Sequence, residues 1–124
     1  MNVDNRDRLI DAYYRAVDQE NYDAFEQLFS DDAHHVRPGQ GLLIGGGAVR
    51  EYYEQERSVA HTDHRIQQRY HGDTATLCTV EVRGKSSSGP FSRQVVGEFD
   101  FISDENLITR YCVYRGHSHA VSHE

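Results

Sequence analysis

Little in this sequence would place it in a membrane, on a nucleic acid or outside the cell. Its two cysteines, Cys78 and Cys112, stand far apart in apparent strands, too few for a disulfide framework and without the paired spacing of a zinc site. They read as small reduced core residues of a cytoplasmic protein. No run of Lys or Arg occurs, and 13 basic against 20 acidic side chains give a formal net charge of -7. That balance argues against nucleic acid or an anionic membrane as partner. Apolar runs last only a few residues, and residues 1–7 have neither a basic start nor an apolar stretch, so no signal peptide or membrane span is expected. There is no internal repeat, low-complexity tract or linker, and Gly45-Gly46-Gly47 is the one sharp break. With 124 residues, 37% hydrophobic and 27% charged, the expectation is one soluble domain over residues 1–124 with flexible ends at 1–5 and 117–124.

What is present is a concentration of unusual residues in His34-His35-Val36-Arg37-Pro38-Gly39. Two imidazoles and a guanidinium precede a Pro-Gly turn. In strand geometry His35 and Arg37 share one face, with His34 and Val36 on the other. A fixed positive charge contributes poorly to a core unless something pairs with it, so this pair faces water, a partner or a pocket.

The surrounding pattern is α+β. Leu9, Ile10, Tyr13, Ala16 and Val17 recur at helical spacing over residues 6–19. Asn21 is placed to cap a second, short helix with Tyr22, Phe25, Leu28 and Phe29 on its apolar face, ended by Ser30-Asp31-Asp32. The His-Arg stretch then forms a short strand, and Leu42-Leu43-Ile44 another. Ala48, Val49, Tyr52, Tyr53 and Glu56 mark a third helix reaching about residue 59. Four strands follow at 64–70, 74–83, 91–102 and 107–115, joined by turn-forming segments rich in Gly, Ser, Asp and Asn. A curved, mixed but mostly antiparallel sheet wrapped over three helices encloses a cavity.

This order of elements resembles the nuclear transport factor 2-like superfamily of cone-shaped α+β folds, which includes ketosteroid isomerase, limonene epoxide hydrolase, scytalone dehydratase and the SnoaL-like polyketide cyclases. The resemblance runs from about Leu9 to Arg115. It is carried by Tyr13 through Asp18, Phe29-Ser30-Asp31-Asp32-Ala33, the strand ending in Arg37-Pro38-Gly39, Tyr52-Tyr53 and the closing hairpin. It implies that Arg37 holds the place of the ketosteroid isomerase base. Tyr13 and Tyr53 correspond to its oxyanion-stabilising tyrosines, and its protonated aspartate falls near Phe99. The catalytic Asp-Arg-Asp set of limonene epoxide hydrolase falls on Cys78, Val80 and Val113, and the residues that help place its water correspond to His35 and Arg37. Val113 also stands where SnoaL-like cyclases keep an acidic residue. The resemblance thus implies a family cavity with different reagents.

Among the residues themselves, His35 is the first choice for the proton-transferring group, because imidazole titrates near neutrality; the alternative is an orienting histidine. Arg37 suits an enolate, phenolate or carboxylate, or else a salt bridge with Glu56 or another buried carboxylate. Tyr13 and Tyr53 are hydrogen-bond donors to a carbonyl oxygen or plain core. Tyr14, beside Tyr13, cannot face the same way, so one of the two is expected to be exposed. Tyr111 and Arg115 alternate inward on the last strand, with Arg115 near the mouth, and His64 could be a second pocket imidazole. Glu98 and Asp100 lie on the outer side unless the register slips by one residue. The candidate substrate contacts are therefore His64, Cys78, Phe99, Tyr111, Val113 and Arg115. His34-His35 and the tail residues His117, His119 and His123 lack the convergent spacing of a zinc site, so no metal and no cofactor is assigned.

The expected function is a cofactor-independent acid-base enzyme, a cyclase, isomerase, dehydratase or epoxide-opening enzyme, acting on a hydrophobic oxygenated, polyketide-like small molecule. The alternative is a non-catalytic small-molecule-binding or dimeric scaffold module of the same fold. A homodimer is expected in either case.

Overall fold

The computed structural model describes residues 2–57, 59–102 and 106–115. Helix α1 (Val3–Asp18) starts where the Asn2 side chain accepts a hydrogen bond from the Asn5 amide, and it buries Leu9, Ile10, Tyr13, Tyr14, Ala16 and Val17. A single 3-10 turn (Tyr22–Ala24) leads into the short helix α2 (Phe25–Leu28). Strands β1 (Phe29–Arg37) and β2 (Gly41–Ile44) follow, then α3 (Gly46–Glu51), whose last turns widen into a π-helical segment (Tyr52–Glu56). The chain closes with β3 (Ala60–His71), β4 (Ala75–Ser86), β5 (Gly89–Ile102) and β6 (Leu107–Arg115).

The six strands form one sheet in the order β2-β1-β6-β5-β4-β3. Every neighbouring pair is antiparallel except β1 and β6, which run parallel. Three helices packed against this mixed sheet give the expected α+β architecture. The inner face carries the core by strict alternation: Cys78, Val80 and Val82 on β4, Val95 and Phe99 on β5, Tyr111 and Val113 on β6, all buried. Between Val95 and Phe99 lies Gly97, where an added Cβ would come within 2.5 Å of the Tyr14 hydroxyl and 3.0 Å of the Tyr111 ring. The missing side chain makes room for these tyrosines above the sheet.

Several boundaries differ from the sequence expectation. Phe29 belongs to β1 rather than to the second helix, because its pairing opposite Ile108 on β6 overrides local helix propensity. The third helix ends at Glu56, not residue 59, when Arg57 turns extended. Strand β3 begins at Ala60 rather than 64, extended by pairing with Lys85 on the long β4. Tyr13 and Tyr14 are both buried, at 1% and 4% exposure, against the expectation that one faces water. Helix α1 is covered over a wide arc, so Tyr14 finds its own niche, stacked on His64 at 4.9 Å.

Register also settles two side-chain questions. Cys78 pairs with Gly97 and Gly97 with Val113, while Cys112 sits opposite Glu98. The two free, buried cysteines therefore lie on opposite faces of the sheet. Glu98 and Asp100 lie on the outer face, where both approach Arg110, and Phe99 between them is fully buried inward.

Candidate active site

Beneath the inner face, four side chains from three elements form a hydrogen-bonded chain. Arg37, at the end of β1, donates to the Tyr53 hydroxyl at 2.8 Å. The Tyr53 and Tyr13 hydroxyls are 2.7 Å apart, and the Tyr13 hydroxyl lies 3.2 Å from His35 Nε2. Chemistry sets the direction of the first bond. Arg37 can only donate, so the Tyr53 oxygen accepts from it, while the Tyr53–Tyr13 and Tyr13–His35 bonds can be donated from either side. In either tautomer His35 Nδ1 is a buried atom with no hydrogen-bond partner. His35 is 0% exposed, and burial, reinforced by the Arg37 charge, holds its pKa well below the ordinary 6.5. Burial likewise pushes the Tyr13 and Tyr111 hydroxyls well above their ordinary range.

A stability consequence follows for His35. In the unfolded chain it takes up a proton as pH falls through 6.5, whereas in the folded protein it stays neutral. The unfolded state then binds more protons, and stability is lost as pH drops below that value. The urea midpoint is expected to fall between about pH 7 and about pH 5, and to fall less in His35→Gln. An equal fall in both proteins would assign the acid sensitivity to other groups.

Above this chain lies a cavity of about 80 Å³. Its wall joins the apolar Pro38, Val59, Val82, Phe91, Val95 and Val113 to Tyr52, Tyr111 and His64, and to four arginines, Arg37, Arg57, Arg93 and Arg115. No carboxylate lines it. The Arg37 guanidinium lies 5.4 Å from the ring centres of both Tyr52 and Tyr53. Burial would lower its pKa, but the hydroxyls of Tyr53, Tyr13, Tyr111 and Tyr52 outweigh this and raise it. The salt bridge to Glu56 that the sequence allows is not formed.

A carboxylate stands behind His64. Asp18, the last residue of α1, accepts from the His64 amide at 2.8 Å, from His64 Nδ1 at 2.5 Å and from the Thr62 hydroxyl at 3.0 Å. Burial would raise the Asp18 pKa, but the hydrogen bonds from His64 and Thr62 lower it. An ionised carboxylate can only accept, so His64 carries its proton on Nδ1 and offers Nε2 as a base. Nε2 has no protein partner among the described residues. The histidine is therefore oriented from behind, in the wall that also holds Arg37.

The expected site residues separate into three groups. Arg37, His64, Tyr111, Val113 and Arg115 line the cavity. Tyr13, Tyr53 and His35 form the buried chain beneath it. Cys78 and Phe99 do not line the cavity. Phe99 packs 4.6 Å from the Tyr111 ring centre. Cys78 is fully buried, and burial pushes its thiol up to about 11 despite Arg69 nearby. Sequence reasoning missed Asp18, Arg57 and Arg93. Arg93 was open to discovery, since it alternates with Phe91 and Val95. Asp18 follows Tyr14 by one helical turn and becomes visible once Tyr14 is known to face inward. Arg57 lies in the break between helix and strand, where no period operates. No group of three or more His, Cys, Asp or Glu among the described residues is arranged to hold a metal; His117, His119 and His123 lie outside them. No helix among them is long and apolar enough to cross a membrane.

A family model for the SnoaL-like domain matches residues 10–111, from the first core turn of α1 to Tyr111. The chain belongs to the SnoaL-like domain family. No curated protein matches the sequence, but this SnoaL-like protein has solved structural neighbours. An NTF2-like protein from Anabaena variabilis superposes with a TM-score of 0.80 at 16% identity, covering 94% of this chain and 90% of that one. SalBIII, an epoxide hydrolase/cyclase-like enzyme of pyran ring formation in the polyether salinomycin, gives 0.75 at 18% identity, covering 90% of each chain. RV0760c from Mycobacterium tuberculosis, in complex with estradiol-17beta-hemisuccinate, gives 0.73 at 13% identity, covering 87% and 91%. At these identities the likeness is one of fold, and that fold houses cyclase-like and epoxide hydrolase-like enzymes.

Proposed function

We propose that this SnoaL-like protein is a cofactor-independent acid-base enzyme in which His64 removes a proton from a small oxygenated molecule. The observation that carries this reading is the Asp18-His64 pair, with Nδ1 anchored by a carboxylate and Nε2 free, in the same cavity wall as Arg37. His64 takes the proton from a carbon beside a carbonyl, and Asp18 faces the imidazolium that forms. Charge moves to the carbonyl oxygen, where Arg37 can meet it with donors left over from its bond to Tyr53. Return of the proton from His64 to another carbon gives isomerisation; its transfer to a β-hydroxyl, which leaves as water, gives dehydration; and attack of the carbanion on a second carbonyl of the same substrate, whose oxygen then takes the proton, gives cyclisation. Tyr53, Tyr13 and His35 act behind Arg37 as a polarised chain that keeps the guanidinium in place. The valines and Phe91 suit an apolar substrate body, and the small-molecule complex of RV0760c supports such an occupant of this fold. Exposed Tyr70, Leu77 and Tyr114 on the outer sheet face support pairing of two copies there.

Deuterium exchange tests the reading. In heavy water, the full chain is expected to speed incorporation at the carbon next to the ketone of levulinate or 3-benzoylpropionate, or of their amides, read by mass spectrometry. Saturable binding of these compounds without any exchange above buffer would favour the non-catalytic binding module instead.

A further inference from the structure

We propose that the outer end of the cavity is a carboxylate-binding subsite, formed by Arg93 and Arg115, which selects organic acids as ligands. This deepens the acid-base reading of the same cavity by naming the class of substrate.

Charge placement sets this cavity apart. Outside the cavity, Arg50, Arg65, Arg69, Arg83 and Arg110 each have a carboxylate within salt-bridge distance, and Arg6 donates to the Gly72 and Asp73 carbonyls instead. The four arginines that line the cavity have no such carboxylate among the described residues. Register brings the charges together: Val95 is directly opposite Arg115, which makes Arg93 its diagonal neighbour on the inner face. Like charges so placed repel in the empty protein, and burial, Arg115 and Arg37 together lower the Arg93 pKa. Arg57 adds a further observation, since its Nε and Nη1 atoms are buried without a hydrogen-bond partner. An anion between Arg93 and Arg115 relieves the repulsion, and two forked guanidiniums match the planar carboxylate.

The rest of the wall narrows the class. Arg93 stacks 4.5 Å from the Phe91 ring centre, and Val82, Val95 and Val113 lie alongside. A bare inorganic anion would leave this surface unmatched, whereas a carboxylate on a compact aromatic or aliphatic body meets both halves. Arg37, deeper and bonded to Tyr53, remains free for the oxygen on which charge develops.

Calorimetric titration of the full chain with benzoate, benzamide and inorganic phosphate tests this. Benzoate is expected to bind saturably, at least about tenfold more tightly than benzamide, and more weakly as salt rises. Arg93→Gln and Arg115→Gln are each expected to weaken benzoate about tenfold or more without changing benzamide. Their unfolding midpoints at low salt should equal or exceed that of the wild type, since each removes a like charge. Equal affinity for acid and amide, unchanged benzoate binding in both variants, phosphate displacing benzoate at lower concentration, or unfolding of the variants would overturn the subsite. Benzoate binding without exchange of 3-benzoylpropionate leaves the subsite standing and removes the acid-base reading. Exchange with equal affinity for acid and amide does the reverse.

Discussion

Replacement of His64 by alanine is expected to reduce proton exchange at the substrate carbon by about 10²–10⁴-fold, the range typical of a positioned general base. The fold should survive, because Asp18 keeps the Thr62 hydroxyl and the backbone amide of residue 64 as donors. Added imidazole should restore part of the lost rate by occupying the space beside Asp18. Asp18 is a positioning residue and its variant should behave differently. Asp18→Asn keeps a hydrogen-bonding group at the end of α1 but removes the charge facing the imidazolium, so kcat should fall with KM little changed. Wild-type exchange in His64→Ala would move the chemistry to another residue. A parallel rise of KM in Asp18→Asn would make the carboxylate part of the binding surface.

Arg37→Met carries the second large effect. Removal of one donor aimed at developing charge typically costs about 10²–10³ in rate, and Arg37 is the charged group between the cavity and the tyrosine chain. Stability should move the other way. A buried guanidinium with no carboxylate partner contributes little net stabilisation, and an apolar side chain of similar length is often neutral or stabilising. The expected outcome is a nearly inactive protein whose urea midpoint is equal to or above that of the wild type. Arg37→Lys should not rescue activity, because a point charge does not reproduce the fork that bonds Tyr53 and lies beside two rings. A strongly destabilised Arg37→Met would show that the charge is part of the scaffold.

The architecture was legible where a period governed the chain. The inward row of β4 and β5 and the outward placement of Glu98 and Asp100 come from simple alternation, and the amphipathic stripe of α1 was plain. His35 and Arg37 also fall on one face as alternation requires. Their different depths were not legible, because depth depends on what packs above. Tyr13, Phe29, Tyr53 and Tyr111 enclose His35, whereas Arg37 reaches the cavity. The partnership of Asp18 with His64 was hidden for a related reason. It joins the end of the first helix to a strand more than forty residues later, and neither residue breaks its local pattern. Tyr14 misled because two adjacent helical residues were assumed to see one wall and one solvent. A helix inside a curved sheet has walls on more than one side.

The parallel pairing of β1 with β6 has a consequence for how the molecule comes into being. His35 sits opposite Tyr111 in that ladder, so the floor of the cavity is shared by the first strand and the last. During synthesis β1 can pair with β2 early, but its other edge must wait until residues 107–115 have emerged. Such distant closure makes for slow folding and a long exposure of unpaired strand edge. A ribosome-bound chain stopped before residue 107 would lack the strand that joins the two halves of the sheet. The shared floor of the cavity therefore closes only when β6 pairs with β1.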